Sequence, residues 1–364
     1  LEARLPGVAP DAAPASVAIL GAGIAGASLA RAFADLGLRS TVIEADRPGA
    51  GASGFAAALV TPRLDAGDRS IAALYASALE RAATLYAAAP DAVLSKGVLQ
   101  LEQAPRDAGR HAKVAAQDVW PEGAMTVLDA DACTARLAEP VETGGLLMRD
   151  AMAVRPAAVL KAWLAEADRI QATVVRLERG DGRWRLFDAA GVLVMEAEGV
   201  VLAAGWGAAA LMGEPVLSPV AGQADVVEGV EGGPVAWGGY AVPTGQGLLY
   251  GATHDRGVTD PVSSEAASAR NLATVAPRLP ELATRIAAAG GPTVSRTAVR
   301  ATTPDRLPLA GALGDGLYVL GGMGSRGFCA SPLLAEHVAA MVMGTPSPLG
   351  RDLAARVSPA RFTA

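Results

Sequence analysis

The chain has 364 residues, 51% hydrophobic and 19% charged, with a formal net charge of −6. A chain this apolar is not intrinsically disordered, and an acidic one is not a polycation built to coat nucleic acid. Its longest charge-free stretch, 12–30, is broken by Pro14, Ser16, Ser28 and three glycines, so no membrane helix is expected.

Residues 1–14, rich in Ala and Pro, read as a linker or tail. They lack the pattern of a signal peptide, and a cytoplasmic location is the expectation. An apolar run at 16–20 leads into Gly21-Ala-Gly-Ile-Ala-Gly26, a predicted helix over 27–36 stopped by Gly37, and a β-branched strand at 40–44 ending in Glu44. Helices are predicted over 68–89 and 156–167. Strands at 172–178, 183–187 and 192–195, separated by glycine turns, form an expected meander. The continuous apolar run 199–205 predicts a strand buried on both faces. Residues 220–252 alternate short strands with Gly/Pro turns, and 266–289 is helical but interrupted at Pro277 and Pro280. The pattern ends with a strand (317–320), a glycine loop (321–327) and a helix (332–343).

Two cysteines, Cys133 and Cys329, and three histidines at no ligand spacing (His111, His254, His337) predict neither a disulfide framework nor a metal. The best-defined chemistry is the G-x-G-x-x-G turn between a strand and a helix. Its first glycine permits a tight turn, the second lets backbone approach a pyrophosphate, and the third lets helix and strand pack closely. Glu44, 18 residues after Gly26, stands where a carboxylate accepts from ribose hydroxyls and disfavours a 2′-phosphate. A glycine-permissive packing turn is the other reading of these residues. Two further small-residue loops, Gly49-Ala-Gly-Ala-Ser-Gly54 and Gly321-Gly-Met-Gly-Ser-Arg-Gly327, favour FAD extended along a domain over NAD on one βαβ unit, with Ser53 as a candidate phosphate donor.

In chain order, Gly21 to Gly26 with Glu44, Gly51-Ala-Ser-Gly54, Ala203-Ala-Gly-Trp206, Val299-Arg300 with Pro304-Asp-Arg-Leu-Pro308, and Gly324-Ser-Arg-Gly-Phe-Cys329 resemble amino-oxidases of the D-amino-acid and glycine oxidase type. More narrowly, Val220-Ala-Gly-Gln223, Gly251-Ala-Thr-His-Asp-Arg-Gly257 and Gly324-Ser-Arg-Gly-Phe-Cys-Ala-Ser-Pro332 look like the FAD-dependent oxidoreductase half of the MnmC family, which modifies the tRNA wobble uridine. One departure is Phe55-Ala-Ala-Ala58, where that family carries polar residues and glycine oxidases do not.

The resemblance implies an α/β fold. A Rossmann-like FAD-binding domain (15–75, 150–215 and 298–364) would carry a discontinuous, mostly antiparallel α+β substrate domain (76–149 and 216–297). It implies non-covalent FAD held by Gly21, Ala22, Gly23, Ile24, Ala25, Gly26, Glu44, Ala45, Gly51, Ala52, Ser53, Ala57, Ala58, Leu59, Val175, Ala204, Gly205, Trp206, Gly322, Met323, Gly324, Ser325, Arg326 and Gly327. The implied reaction is oxidative removal of the carboxymethyl group from 5-carboxymethylaminomethyl-(2-thio)uridine in tRNA, with a methyltransferase domain or partner acting next. Oxidation of free glycine, sarcosine or D-amino acids is the alternative, and a catalytically silent FAD-binding scaffold is a third.

Such an N-substituted glycine needs its carboxylate anchored, and an arginine fork does this best. By resemblance Arg300 is that arginine, Tyr240 is a pocket tyrosine and Arg326 touches flavin or carboxylate. Read without the resemblance, Arg300 is an ion-pair member, Tyr240 packs and Arg326 caps a helix. His254 lines a pocket or contacts RNA, or is structural. Cys329 reads as a packing residue. Arg155, Arg256, Arg300 and Arg326 are the candidates for an RNA-facing patch.

Overall fold

A computed structural model describes residues 13–213 and 216–362 of the chain. Most of the expected tail, residues 1–12, lies outside the described residues, as do positions 214–215 and 363–364 of the expected cofactor domain. The chain divides into two compact units, 1–54 with 157–220 and 300–364, and 55–156 with 221–299. Residues 55–75, assigned above to the cofactor domain, fall in the second unit, because the strand Ala58–Val60 pairs antiparallel with Gly145–Val154.

The first unit is built on a six-stranded sheet in the order Leu309–Gly314, Leu317–Gly321, Gly199–Leu202, Val17–Leu20, Thr41–Glu44, Asp168–Gln171. Every pairing is parallel except that of Leu309–Gly314 with Leu317–Gly321. Val17–Leu20 and Gly199–Leu202 are buried at every position, as central parallel strands covered on both faces must be. The helix Ile24–Asp35 ends where Gly37 takes φ +80° and donates its N–H to Ala34 O.

The expected strand over 172–178 is two strands. Asp168–Gln171 extends the parallel sheet, and Arg176–Gly180 opens the three-stranded meander completed by Arg183–Phe187 and Leu193–Ala197. The two segments adjoin in sequence and share one β-prone composition, so no turn residue marks the crossing from one sheet to the other. The last long helix runs from Gly327 to Met343, not from 332, with Pro332 inside its first turns. As the sixth residue of the helix, Pro332 lies beyond the four N-terminal N–H groups that need no intrahelical partner and removes the bond position 332 would give to Phe328 O.

The second unit carries a ten-stranded sheet among the described residues. Ser218–Glu228 with Gly247–Gly251, the hairpins Val235–Ala236/Tyr240–Pro243 and Tyr240–Pro243/Gly247–Gly251, and the three partners of Gly145–Val154 all pair antiparallel, while Val235–Ala236 runs parallel to Val93–Leu101. Alternation sorts its side chains cleanly. Val227, Ala241, Leu248 and Tyr250 join the cluster packed with Leu282 and Ile286 of the helix Pro280–Ala288, while Ala224, Val242 and Leu249 point to the opposite face with Tyr240, Phe55 and Leu59. No helix among the described residues is long and apolar enough to cross a membrane.

Candidate active site

In the first unit the glycine turn is tight for reasons of contact. A Cβ on Gly26 would stand 1.8 Å from Gly21 O, and one on Gly21, which holds φ +107°, would stand 2.7 Å from Ala203 O. No side chain fits at either position, so the Val17–Leu20 strand, the helix beginning at Ile24 and the Ala203–Ala204 backbone close on one another. The N-cap is Gly23, which has no side chain to cover the first turn. The helix therefore presents backbone N–H and its positive dipole end where phosphates dock.

Glu44 does more than await a ribose. Its Oε2 accepts from Ala22 N–H at 2.7 Å and its Oε1 from Asp46 N–H at 3.2 Å, which ties the turn to the second strand. Each carboxylate oxygen keeps a further lone pair for a hydroxyl. Ser53 Oγ accepts from Ile24 N–H at 2.9 Å, so its own proton remains to donate, as a phosphate partner requires. Ala45, Gly51 and Ala52 are exposed, and a Cβ on Gly51 would meet nothing within 4 Å, leaving the loop open on its outer side.

The late glycine loop lies beside the early one. A Cβ on Gly327 would stand 3.3 Å from Ile24 Cγ2, so residues some three hundred apart in sequence start two helices side by side. Gly322 and Gly324 take φ +64° and +53°, Met323 bridges Thr302, and Gly324 N–H donates to Ala301 O at 2.9 Å. The loop is thereby hung on the strand Val294–Thr302 that bears Arg300. Arg326 is the N-cap residue of the long helix and partly buried, and its side chain makes no capping hydrogen bond to the first turn. Ser325 is exposed. Burial pushes the Cys329 thiol up to about 12 against the opposing pull of Arg326, so it is a neutral packing group and a poor nucleophile.

Ala204, Gly205 and Trp206 follow the buried Gly199–Leu202 strand into a short 3₁₀ turn, close to Gly21. Val175 is about half exposed and gives its N–H to Phe187 O at 2.9 Å. Ala57, Ala58 and Leu59 belong to the second unit. Arg300 is partly buried at the head of the last segment of the first unit. Beyond it, Pro304-Asp-Arg-Leu-Pro308 is a fixed turn: Thr303 Oγ1 donates to Leu307 O at 2.6 Å, and Arg361 forks Asp305 at 2.8 and 3.2 Å.

In the second unit Tyr240 is partly buried on the sheet face that also carries Phe55 and Leu59. His254 and Arg256 are exposed, and Asp255 between them is gripped by both Nη atoms of Arg270 at 2.9 Å. Arg155 donates to Asp91 O at 2.9 Å.

Two features escaped the sequence. Asp225, fully buried, accepts from Gln223 Nε2, Ser268 Oγ, Ser295 Oγ and Asn271 Nδ2 at 2.6–3.0 Å, with no cation among these donors. Gln223 carries the network on to Ser264, and its N–H donates to Thr253 Oγ1, next to His254. These partners come from four separate segments and follow no spacing rule. The other feature is Arg296, whose guanidinium lies 5.6 Å from the Phe55 ring centre.

The glycine cradles, the acidic strand end and the free Ser53 proton fit the two phosphates and ribose of a flavin dinucleotide. Among known proteins, the FAD dependent oxidoreductase (DAO) family matches residues 16–341. The chain is 50% identical over 363 residues to the tRNA 5-methylaminomethyl-2-thiouridine biosynthesis bifunctional protein MnmC of Caulobacter vibrioides, and 38% identical over 369 residues to that of Maricaulis maris. All of the chain is covered in both cases, but it spans only 60% and 58% of those relatives' lengths. Iminodiacetate oxidase of Chelativorans sp. BNC1 superposes with TM-score 0.79 at 24% identity, covering 94% of this chain and 98% of that one. Glycine oxidase of Geobacillus kaustophilus superposes with TM-score 0.77 at 23% identity, covering 95% and 98%.

Proposed function

The chain belongs to the FAD-dependent oxidoreductases and uses FAD, and on that premise we propose that it removes the carboxymethyl group from 5-carboxymethylaminomethyl-(2-thio)uridine at the tRNA wobble position. The observation that carries this reading is the 50% identity over the whole chain with a protein named for that modification pathway. FAD when bound supplies a two-electron acceptor for the substrate's C–N unit. The overall change is R–CH2–NH–CH2–COO⁻ plus water, less two electrons and two protons, to the amine R–CH2–NH2 and glyoxylate.

Arg300 holds the substrate carboxylate through two parallel charge-assisted hydrogen bonds, which fixes the glycine methylene in one orientation. Tyr240 is taken as a substrate-pocket tyrosine, and Arg326 adds positive charge at the late glycine loop. No side-chain base is required if the amine binds deprotonated. FAD is held non-covalently, in keeping with the neutral Cys329 thiol. A methyltransferase domain or partner would take the amine onward, and the cytoplasm is where a tRNA substrate is met.

The test is product analysis. The holoprotein incubated with tRNA bearing the carboxymethylaminomethyl base should yield the aminomethyl base and one glyoxylate per base converted, and Arg300→Ala should yield neither. An unchanged base, with glyoxylate formed from free glycine or sarcosine, would assign the protein to the amino-acid oxidases.

A further inference from the structure

In the second unit the helix Arg106–Ala115 lies on the strands Met125–Leu128 and Gly145–Val154 and buries Asp107, His111 and Val114, at i, i+4 and i+7. Each of these is preceded by a cation. Arg106, Arg110 and Lys113 are all exposed and form one stripe, about 6 Å and then about 4.5 Å apart along the axis. The other exposed residues within the stripe's length are Ala108, Gly109 and Ala112, and a Cβ on Gly109 would meet nothing within 4 Å. The helix's one acid, Asp107, is turned inward, where it accepts from Gln103 and Ala104 N–H at 2.9 and 3.1 Å. Arg110 is anchored by Nη2 to Leu64 O at 2.7 Å, with Nη1 4.0 Å from Asp107 Oδ1. Arg106 and Lys113 have no hydrogen-bond or ion-pair partner among the described residues. Just ahead of the helix, the partly buried Arg278 donates to Glu102 O at 3.4 Å and Gln103 O at 2.9 Å, neutral acceptors that leave its charge uncancelled. Other exposed arginines, such as Arg39, Arg149 and Arg270, are met by carboxylates of Asp168, Asp150 and Asp255. Like charges at i, i+4 work against a helix, so this stripe calls for a counter-charge from outside.

We propose that this stripe docks the phosphate backbone of the RNA substrate, Arg106, Arg110 and Lys113 meeting successive phosphates and Arg278 extending the positive field past the start of the helix. This rests on the RNA reading given above. A cation on each turn of helix, about 5.4 Å apart, is close to the step between successive phosphates of one strand. The small residues Ala108, Gly109 and Ala112 let a sugar–phosphate chain lie near the helix axis. The helix holds no Phe, Tyr or Trp on which a base could stack, so the contact is with the backbone and positions the RNA without reading its sequence. A free amino acid has a single carboxylate and does not span the stripe. On the proposed reaction the RNA is the polyanion that must be held, and the rest of this acidic chain repels it.

The experiment measures binding of unmodified tRNA to the holoprotein by fluorescence anisotropy, and turnover of carboxymethylaminomethyl-modified tRNA and of the free modified nucleoside. Wild type is compared with Arg106→Gln/Lys113→Gln and with Arg106→Lys/Lys113→Arg, which keeps both charges. A third variant, Arg39→Gln/Arg183→Gln, removes the same net charge from carboxylate-paired arginines of the first unit. Flavin content and melting temperature are checked for each. The double glutamine variant should raise Kd for tRNA and KM for the modified tRNA roughly tenfold, and flatten the slope of log Kd against log salt by about 1.5. Its kcat on the modified tRNA should hold, and the nucleoside, which has no phosphate, should show no loss. The charge-keeping swap should bind like wild type, and the first-unit variant should keep most of the affinity. An unaltered Kd and salt slope in the double glutamine variant, or an equal loss in either of the other two, would overturn the docking assignment; the substrate reading would stand if wild type converts the modified tRNA. A polyglutamate peptide that binds wild type as tightly as tRNA, and is lost from the double glutamine variant, would give the stripe to an acidic protein partner instead. A wild-type protein that neither binds nor converts tRNA, yet oxidises glycine or sarcosine, would overturn the substrate reading and the role of the stripe with it.

Discussion

Arg300 and His337 show how single side chains carry separable properties. A lysine at 300 keeps the charge but loses the planar fork, so Arg300→Lys should lower kcat/KM by roughly a hundredfold, mostly in orientation, with flavin content unchanged; steady-state kinetics beside the visible spectrum checks this. His337 sits in the long helix with Nδ1 2.7 Å from Ser347 Oγ, and burial pushes its imidazole down to about 4. In the unfolded chain the ring protonates near 6.5, so the unfolded state binds the extra proton first. Its contribution is fully present above about pH 6.5 and is lost as the pH falls toward 4, by about 3 kcal/mol in all. His337→Gln should flatten that part of the acid limb in denaturant titrations from pH 7 to 4. An identical slope in both proteins would place the acid sensitivity elsewhere.

Elements were legible wherever local rules acted alone. The glycine turn, the acidic strand end, the Asp68-capped helix Arg69–Ala88 and the Pro280-started helix follow from capping, periodicity and φ preferences. What stayed hidden was set by distant partners. The break between Asp168–Gln171 and Arg176–Gly180 depends on which sheet each strand joins, and the early start at Gly327 depends on the helix packing beside Ile24. The Asp225 network and Arg296 on Phe55 unite residues tens to hundreds apart in sequence. Two substitutions test these elements. Gly26→Ala must displace the Gly21 carbonyl, so the protein should purify with little or no flavin, read as absorbance near 450 nm per chain, with about 450 nm the usual isoalloxazine band. Asp225→Asn puts an amide N–H2 where every neighbour is a donor, and should cost roughly 2–4 kcal/mol, seen as a lowered melting temperature with FAD retained.

At the scale of the molecule, two units are each assembled from separate stretches of chain, so neither could be cut out of the sequence as one block. A net charge of −6 works against binding of the proposed RNA substrate, so on that proposal particular arginines would have to carry the phosphate contacts. Turnover of RNA should therefore weaken steeply with salt while turnover of any small zwitterion should not. The most direct measurement is anaerobic mixing of the flavin-loaded protein with carboxymethylaminomethyl-modified tRNA, and separately with glycine and sarcosine, following the loss of flavin colour. Bleaching by the tRNA and not by the small amino acids is the predicted result. Bleaching by glycine or sarcosine alone would contradict the account.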